Sequence, residues 1–279
     1  MVRRWSWLLL MLVLTSTLVM SQRLRSKVGS SKLVDNSDAR CVAGPGGIPV
    51  DAVTLQDSCS AAMRATAPAE FTITLSTNYG DMSARCKRHL APVWVDRVYN
   101  LGRHGYYDSN YFFRVIASPG LHAVQFGTNG DPSVSNVYNW NSLDLGRCAV
   151  LNPQPDKMPV GAPELSNVFG TLSMSTSFNE TTGTTWNATA ELFINTGDNS
   201  RLDAMRFVPI CTLDGASMAT VLRLPSFGEL ADLGGPGPSL AELYAKGNTY
   251  IAANRSWASM GQVGARGTTI ACSSRIEGN

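Results

Sequence analysis

The sequence lacks the short motifs of several large enzyme classes. No GxSxG, HExxH, P-loop or GxGxxG run occurs in its 279 residues, so nothing indicates a serine hydrolase, a zinc protease or a nucleotide-binding domain. Histidine is scarce, and His89, His104 and His122 lack the spacing of a metal site. No CxxC pair occurs, which argues against zinc and thioredoxin-like redox chemistry. Neither a metal nor a cofactor is therefore expected.

Charge is also sparse. Charged residues make up 16% of the chain, and 23 Lys and Arg against 21 Asp and Glu give a net charge of +2. No dense basic stripe interleaved with aromatic residues occurs, so a nucleic-acid partner is not expected. Hydrophobic residues account for 44% of the chain, which is typical of a globular protein with one large domain or two small ones. The acidic residues between positions 196 and 203 do not match EF-hand spacing, which favours a structural loop over a calcium site.

The N-terminus is typical of a targeting segment. Two arginines precede an almost wholly apolar run at residues 5–20, which has the length of a signal-peptide core and is short for a membrane span of about 20 apolar residues. Residues 1–21 are predicted to be a cleaved signal peptide or a retained signal anchor, in which residues 5–20 would tether the protein to a membrane. Either form implies the secretory pathway. Because no acidic residue precedes Asp35, an organelle transit peptide, for example to a plastid, is the alternative.

Cysteines and glycosylation signals agree with an oxidising compartment. The six cysteines are an even number, which favours disulfides, and Cys41 and Cys59 form the local pair across a short Gly/Pro-rich loop. The other four are either paired or buried thiols. Three Asn-x-Ser/Thr sequons, at Asn179, Asn187 and Asn254, are predicted glycosylation sites.

Strand patterns dominate the chain from residue 69 onward. Residues 22–68 are rich in small residues without a sustained period and are interpreted as a stem or variable extension. Residues 71–75 alternate as a half-buried strand, and Pro92 opens a helix with one apolar face. Further strands are predicted at 111–116, 123–126, 170–174, 190–194, 206–212 and 268–272, and short helices within 217–222 and 238–244. A sandwich or barrel is expected over residues 69–272, followed by a tail at 273–279.

One arginine lies in an apolar, aromatic run. The run is Phe112-Phe113-Arg114-Val115-Ile116, and Gln125 follows eleven residues after the arginine on the next predicted strand. A guanidinium does not lose its proton in proteins, so it needs hydrogen-bond acceptors wherever it lies. Arg114 therefore requires either a structural partner, such as an ion pair or solvent at a strand edge, or a substrate.

Eight short segments follow one another in the order and spacing of a known family. They are Gly80-Asp81, Ala91-Pro92, Asp96-Arg97-Val98-Tyr99-Asn100-Leu101, Gly105-Tyr106-Tyr107-Asp108, Phe112-Phe113-Arg114-Val115-Ile116, Gln125-Phe126-Gly127, Gly130-Asp131-Pro132 and Leu192-Phe193-Ile194-Asn195. Together they resemble cyclophilin-type peptidyl-prolyl isomerases over approximately residues 69–272. The resemblance implies a mainly β fold, an eight-stranded antiparallel barrel capped by two helices. It also implies proline-containing polypeptides as partners, without a cofactor or a metal.

The resemblance assigns the chemistry to Arg114 and Gln125. Rotation about a prolyl amide has a barrier of about 18–20 kcal/mol, because the nitrogen lone pair is shared with the carbonyl. In the twisted amide this nitrogen can accept a hydrogen bond, so a fixed guanidinium donor stabilises the transition state more than the planar ground state. Arg114 matches the family's catalytic arginine. Gln125 matches the carboxamide that holds the peptide backbone while the bond turns.

The resemblance also assigns a substrate pocket. Phe193 matches the aromatic floor that receives the pyrrolidine ring. Leu202 and Phe207 are expected to flank the same pocket by their position. Met174 stands where the family places another pocket-side strand residue, although a core position explains it equally well.

The chain departs from the family pattern at three places. An insertion lies within residues 117–123, so the second apolar wall of the pocket is assigned to Leu121 or His122. Glu191 replaces a glutamine common two positions before the pocket phenylalanine. Arg201 stands where the best-known members carry the tryptophan that favours cyclosporin binding, so sensitivity to cyclosporin is not expected.

Three functions remain open from the sequence. The leading hypothesis is a peptidyl-prolyl cis–trans isomerase that acts on flexible or folding chains in the secretory pathway. The first alternative is a cyclophilin-like module that binds proline-containing segments with little or no turnover. The second alternative is a membrane-tethered scaffold, in which the stem and glycans matter more than the pocket. A structural ion pair would explain Arg114 alone, but it would not require Gln125 and Phe193 at matching positions.

Overall fold

β-Strands form the framework of the fold. The computed structural model describes residues 52–118, 121–138, 164–179, 181, 184–186 and 190–272. Within these ranges the strands are β1 (Glu70–Thr77), β2 (Gly80–Lys87), β3 (Arg114–Ser118), β4 (Leu121–Phe126), β5 (Thr171–Met174), β6 (Ser177–Asn179), β7 (Thr184–Trp186), β8 (Leu192–Asn195), β9 (Pro209–Leu213) and β10 (Val263–Cys272).

Eight of these strands form one antiparallel sheet. Their order is β10-β1-β2-β9-β5-β8-β4-β3, while β6 and β7 form a separate hairpin. An isolated antiparallel bridge joins Tyr111, just before β3, to Gln262, just before β10. These are the two edge strands, so the sheet curls round until its edges approach each other. The eight-stranded antiparallel architecture predicted from the sequence is confirmed.

The described residues also form seven α-helices, most of them short. They are α1 (Ala52–Gln56), α2 (Pro92–Arg103), α3 (Pro132–Ser135), α4 (Arg201–Ala204), α5 (Gly215–Val221), α6 (Leu240–Lys246) and α7 (Asn248–Ala253). Pro92 occupies the first turn of α2, and Gly102 brings this helix close to Ile73 of β1 and Ile270 of β10. Asp214 caps α5 by accepting a hydrogen bond from the Ser217 amide. The sequence predicts helices at the positions of α2, α5 and α6, and all three are present.

The principal core lies inside the curled sheet. Alternate residues of β3, β4, β5 and β8 point inward, and they include Val124, Leu172, Leu192 and Ile194. Residues between them face outward, where the candidate site lies. On these four strands, one face of the sheet packs in the core and the other face carries the candidate site.

A disulfide joins two neighbouring strands. Cys86 of β2 and Cys211 of β9 are directly paired in register and bonded to each other. Cys59 is in a disulfide, and so is Cys272. The buried-thiol alternative is therefore wrong for every cysteine that the structure describes. The predicted partner of Cys59, Cys41, lies outside the described residues.

Part of the predicted extension is packed against the sheet. Leu55, Met63 and Ala67 all belong to the principal core. The Tyr138 hydroxyl donates to the Leu55 carbonyl at 2.7 Å, and the Ala67 amide donates to Asp96 at 2.8 Å. This packing was not predictable from the sequence, because the three apolar residues follow no helical or strand period.

Other sequence predictions fall partly or wholly outside the described residues. The targeting segment at 1–21, its apolar run at 5–20, the sequon at Asn187 and the tail at 273–279 lie outside. Among the described residues, no helix has the length and apolarity needed to cross a membrane. Asn254 follows α7 and accepts a hydrogen bond from the Ser256 amide through its side chain. Asn179 ends β6, and glycosylation of the sequons remains a prediction.

Candidate functional site

The residues predicted to carry the chemistry form a row across four strands. Arg114 on β3 lies opposite Gln125 on β4, Gln125 lies opposite Phe193 on β8, and Phe193 lies opposite Ser173 on β5. Directly opposed residues in antiparallel strands share a face of the sheet. The intervening residues are in the core, so this row lies on the outer face. A cation, a carboxamide and an aromatic ring are thus side by side.

The insertion between the first two members of the row extends a hairpin. Strands β3 and β4 stay in register from Arg114–Gln125 to Ser118–Leu121. Arg114 Nη1 donates to Gln125 Oε1 at 3.1 Å. The additional residues therefore lengthen the hairpin beyond the site and do not separate the arginine from the carboxamide.

Arg114 has a structural partner that the sequence did not identify. Its Nε and Nη2 donate to the two carboxylate oxygens of Glu229, each at 2.7 Å, and its side chain is 18% exposed. Such bidentate pairing fixes both the position and the plane of a guanidinium. Partial burial opposes ionisation of Glu229, but hydrogen bonds from Arg114 and from the Leu230 amide outweigh it and lower the pKa of Glu229. Glu229 is therefore a carboxylate at neutral pH.

Gln125 is held on its other side by a buried carboxyl group. Its Nε2 donates to Glu191 at 2.7 Å and to the Ser175 hydroxyl at 3.2 Å. The Tyr244 hydroxyl donates to the second oxygen of Glu191 at 2.6 Å. Burial raises the pKa of Glu191, although hydrogen bonds from Tyr244 and Gln125 and the charge of Arg114 act in the opposite direction. Burial and the nearby Glu191 also raise the pKa of Tyr244, which keeps its hydroxyl protonated as a donor.

A cleft of about 350 Å³ opens beside this polar group. Its lining combines the polar residues of the row with side chains from the β5 end and from the chain between α5 and β10: Arg114, Gln125, Ser175, Thr176, Ser177, Glu191, Leu230, Asp232, Leu233 and Leu240. We call residues 222–262, which connect α5 to β10, the 222–262 segment. It supplies the apolar wall of the cleft, and Leu233 on that wall is 63% exposed.

The 222–262 segment has a hydrophobic cluster of its own. Apart from Phe113, every buried member comes from the segment: Leu230, Leu243, Ile251, Trp257 and Met260. Phe113 immediately precedes Arg114, and Phe112 on its other side belongs to the principal core. The aromatic pair before Arg114 therefore joins the sheet to the segment that carries Glu229.

Four predicted substrate-binding residues meet at the other end of the row. Phe193 and Leu202 are buried together with Ala123, and Leu121 and Phe207 pack against them with Met205. The rings of Phe193 and Phe207 lie 6.0 Å apart, edge to face. Leu121, Met205 and Phe207 are half-buried, so this apolar cluster reaches the surface.

Two other predicted substrate-binding residues do not join this cluster. Met174 lies in the principal core, and the adjacent Ser173 faces outward. His122 packs its ring against Gly197, while its amide and carbonyl bond the side chain of Asn199. Of the two candidates for the second apolar wall, Leu121 is the one in contact with the Phe193 cluster.

Sequence reasoning missed Glu229, Leu230 and Tyr244. They come from the 222–262 segment, which shows no strand or helix period except around α6. One signal was present, because a half-buried arginine requires an acceptor and only 21 Asp and Glu occur in the chain. That requirement called for a carboxylate without identifying which one.

Comparisons with known proteins concern the fold. No protein-family model matches the chain, and no curated protein matches it either. Among solved structures, the chain is similar to a Cryptosporidium parvum cyclophilin-type peptidyl-prolyl cis-trans isomerase, with 18% identity, 74% of this chain and 99% of that chain covered, and a TM-score of 0.46. A structure of the same protein in the presence of the dipeptide Ala-Pro matches with 18% identity, 72% and 99% coverage, and a TM-score of 0.46.

Proposed function

We propose that this protein is a peptidyl-prolyl cis–trans isomerase that accelerates rotation about X–Pro bonds in flexible or folding polypeptides. The observation that supports this function is the outward-facing row in which Arg114, Gln125 and Phe193 are in register on adjacent strands. The hydrogen bond between Arg114 and Gln125 makes the first two a single unit.

The row suits a reaction that needs no covalent step. The apolar cluster around Phe193 offers a surface for the pyrrolidine ring, and Gln125 separates this cluster from Arg114. A guanidinium donor aimed at the prolyl nitrogen stabilises the twisted amide, in which the nitrogen accepts a hydrogen bond, more than the planar amide. Each factor of ten in rate corresponds to about 1.36 kcal/mol of this preference.

We also propose that the reaction takes place in an oxidising compartment of the secretory pathway. The disulfide between Cys86 and Cys211 supports this, because disulfides are rare where thiols are kept reduced. Folding polypeptides with exposed prolines are the corresponding substrates.

A second function is favoured by one contact. Glu229 already binds Arg114 through two hydrogen bonds, which would reduce the arginine's capacity to donate to a substrate. A module that binds proline-containing segments with little turnover is therefore the alternative.

A proline-peptide isomerisation assay on the full chain, with protease-coupled detection, tests the isomerase assignment. We expect turnover above the buffer rate, and loss of about 100-fold in kcat/KM for Arg114→Ala, the scale seen when a preorganised transition-state donor is removed. Arg85→Ala is the matched control, since Arg85 is also a strand arginine paired with a glutamate, Glu70, but lies on β2 away from the row.

The outcomes separate the two functions. Turnover no faster than buffer in both the wild type and Arg114→Ala would rule out the isomerase. If the wild type then still binds a proline peptide in calorimetry, the binding module is correct. Equal loss of activity in Arg85→Ala would show that the effect of Arg114 is not specific to the row.

A further inference from the structure

One continuous chain of hydrogen bonds crosses the candidate site. Arg114 donates to Glu229 and to Gln125, Gln125 donates to Glu191, and Tyr244 donates to Glu191 from the far side. The bond lengths run from 2.6 to 3.1 Å. The two outer members, Glu229 and Tyr244, both belong to the 222–262 segment. That segment therefore holds the catalytic candidates from both ends.

Glu229 is also held by contacts other than its hydrogen bonds with Arg114. The Leu230 amide donates to its Oε1 at 2.7 Å, and the Leu230 side chain is buried in the cluster that includes Phe113. Ser226 donates from its hydroxyl to the Val115 carbonyl at 2.6 Å, which attaches the same loop to β3. A carboxylate supported in this way is a fixed acceptor.

The pairing does not use all of the guanidinium. An arginine side chain has five N–H donors, and three of them are used in the bonds to Glu229 and Gln125. Two donors therefore remain on Nη1 and Nη2 beyond the bonds seen among the described residues. Glu229 takes Nε and one side of Nη2, so it fixes the plane of the group and leaves donors for a substrate.

Orientation of this kind has a large effect on rate. A free arginine side chain has many rotamers, and less conformational entropy is lost per hydrogen bond when the planar group is already oriented. A displacement of about 1 Å at a reacting group can reduce a rate by about 100-fold. Removal of Glu229 is expected to lower kcat, because a well-oriented Arg114 donor stabilises the twisted amide more than the bound planar amide.

We propose that Glu229 is a positioning residue for Arg114, and that Tyr244 has the same role for Gln125 by way of Glu191. This inference rests on the isomerase function proposed above. It makes the 222–262 segment part of the catalytic unit, since its removal would leave Arg114 and Gln125 on the sheet without their outer supports. The opposite view, that Glu229 is a latch that withholds Arg114 from the substrate, predicts the opposite change in rate.

The test is steady-state isomerase kinetics on full-length variants. We expect Glu229→Gln to lower kcat by roughly 10- to 100-fold with KM changed less than about 3-fold. Glu229→Asp keeps the charge and should recover part of that loss. Tyr244→Phe should lower kcat by a smaller factor, because Tyr244 reaches Arg114 only through Glu191 and Gln125. Glu242→Gln is the matched control, as Glu242 lies in the same segment and pairs with Lys246 on the surface of α6.

A second readout reports on Arg114 without reference to turnover. The Arg114 Nε–H resonance in NMR spectra should be sharp and slow to exchange in the wild type and in Glu242→Gln. In Glu229→Gln it should move and exchange faster. Unaltered exchange would overturn the positioning role even if kcat falls, since the fall would then have another cause.

The outcomes for the two proposals are distinct. An inactive wild type overturns the isomerase function itself, and with it any catalytic role for Glu229. An active wild type with Glu229→Gln at full kcat overturns only the positioning role. A rise in kcat for Glu229→Gln also overturns it and establishes the latch. A fall in kcat with faster Nε–H exchange and an unaffected Glu242→Gln supports the proposal.

Discussion

The two ends of the outward-facing row are supported in different ways. At one end Arg114 is fixed by hydrogen bonds and by a segment that begins more than 100 residues later in the chain. At the other end Phe193 is surrounded by apolar side chains, most of which come from the 15 positions that follow it. The polar end therefore depends on long-range structure, whereas the apolar end depends mainly on a neighbouring turn and short helix. This difference predicts that the two ends will respond separately to mutation.

Removal of the Phe113 ring is expected to have the largest effect. Phe113 is 2% exposed and connects β3 to the cluster of the 222–262 segment. Phe113→Ala should reduce the free energy of unfolding by about 3–5 kcal/mol, the range for large-to-small changes of buried aromatic residues. Urea denaturation measures this loss. Phe169→Ala is the control, because Phe169 is 53% exposed and should change stability little.

Hydrogen exchange would sharpen the contrast between the ends. In Phe113→Ala, peptides from the 222–262 segment should exchange faster, since their main attachment to the sheet is weakened. Peptides covering residues 201–213, beside Phe193, should exchange as in the wild type. Equal acceleration in both regions would show that the two ends unfold as one unit.

The second prediction concerns the two carboxyl groups of the polar end, whose pKa values shift in opposite directions. Glu191 has a raised pKa because it is buried, so the protonated form is favoured by folding. Its stabilising contribution is present below a pH of about 4.5 and is lost as the pH rises through the raised folded pKa. Relative to Glu191→Gln, the wild type should lose about 1.4 kcal/mol for each unit by which that pKa is raised.

Glu229→Gln provides the opposite slope. The pKa of Glu229 is lowered despite partial burial, because Arg114 and the Leu230 amide stabilise its carboxylate. Its contribution is present above a pH of about 4.5 and is lost as the pH falls through the folded pKa. Urea denaturation of the wild type and both variants between pH 3 and pH 7 measures the two differences. If the two differences in unfolding free energy change with pH in the same direction, Glu191 and Glu229 are not in opposite electrostatic environments.

Local patterns predicted strands, helices and a sandwich or barrel, whereas the eight-stranded antiparallel barrel was implied by the family resemblance. Alternation at residues 71–75 anticipated β1, and the spacing after Pro92 anticipated α2. An antiparallel hairpin places residues that are separated in sequence opposite each other, as it does for Arg114 and Gln125. The place of Phe193 beside Arg114 and Gln125 was expected from the order of the family-like segments along the chain.

The supports of the polar end were not predictable for a physical reason. Arg114 and Glu229 are 115 positions apart, and nothing in local periodicity connects them. The same limit applies to burial. Arg97, on α2, is buried with its Cζ 5.2 Å from the centroid of the Tyr138 ring, whereas Arg114, which lies in the more apolar run of sequence, is only half-buried. The apolar residues around a position in the sequence are only its neighbours along the chain. Burial depends on its neighbours in space.

The smallest expected effect lies at the apolar end and concerns one backbone conformation. Arg206 follows α4 with φ of +61°, a left-handed conformation that is costly for residues other than glycine. The Phe207 amide donates to the Leu202 carbonyl, and the Arg206 amide donates to that of Asp203, which is the helix-ending pattern in which glycine is preferred. Arg206→Gly should therefore raise the free energy of unfolding by about 1 kcal/mol.

A matched arginine separates this effect from loss of charge. Arg201 is also exposed and begins α4, but it has ordinary helical geometry. Arg201→Gly should lower the free energy of unfolding by about 0.5–1 kcal/mol, because glycine loses more backbone freedom in a helix. If both variants shift the urea midpoint in the same direction, the change in stability comes from lost charge or altered helix content. Backbone strain at Arg206 would then not explain it. Opposite shifts would show that the turn leading into the Phe193 cluster holds Arg206 in a strained conformation, and that local geometry at this end is set by the short helix that precedes it.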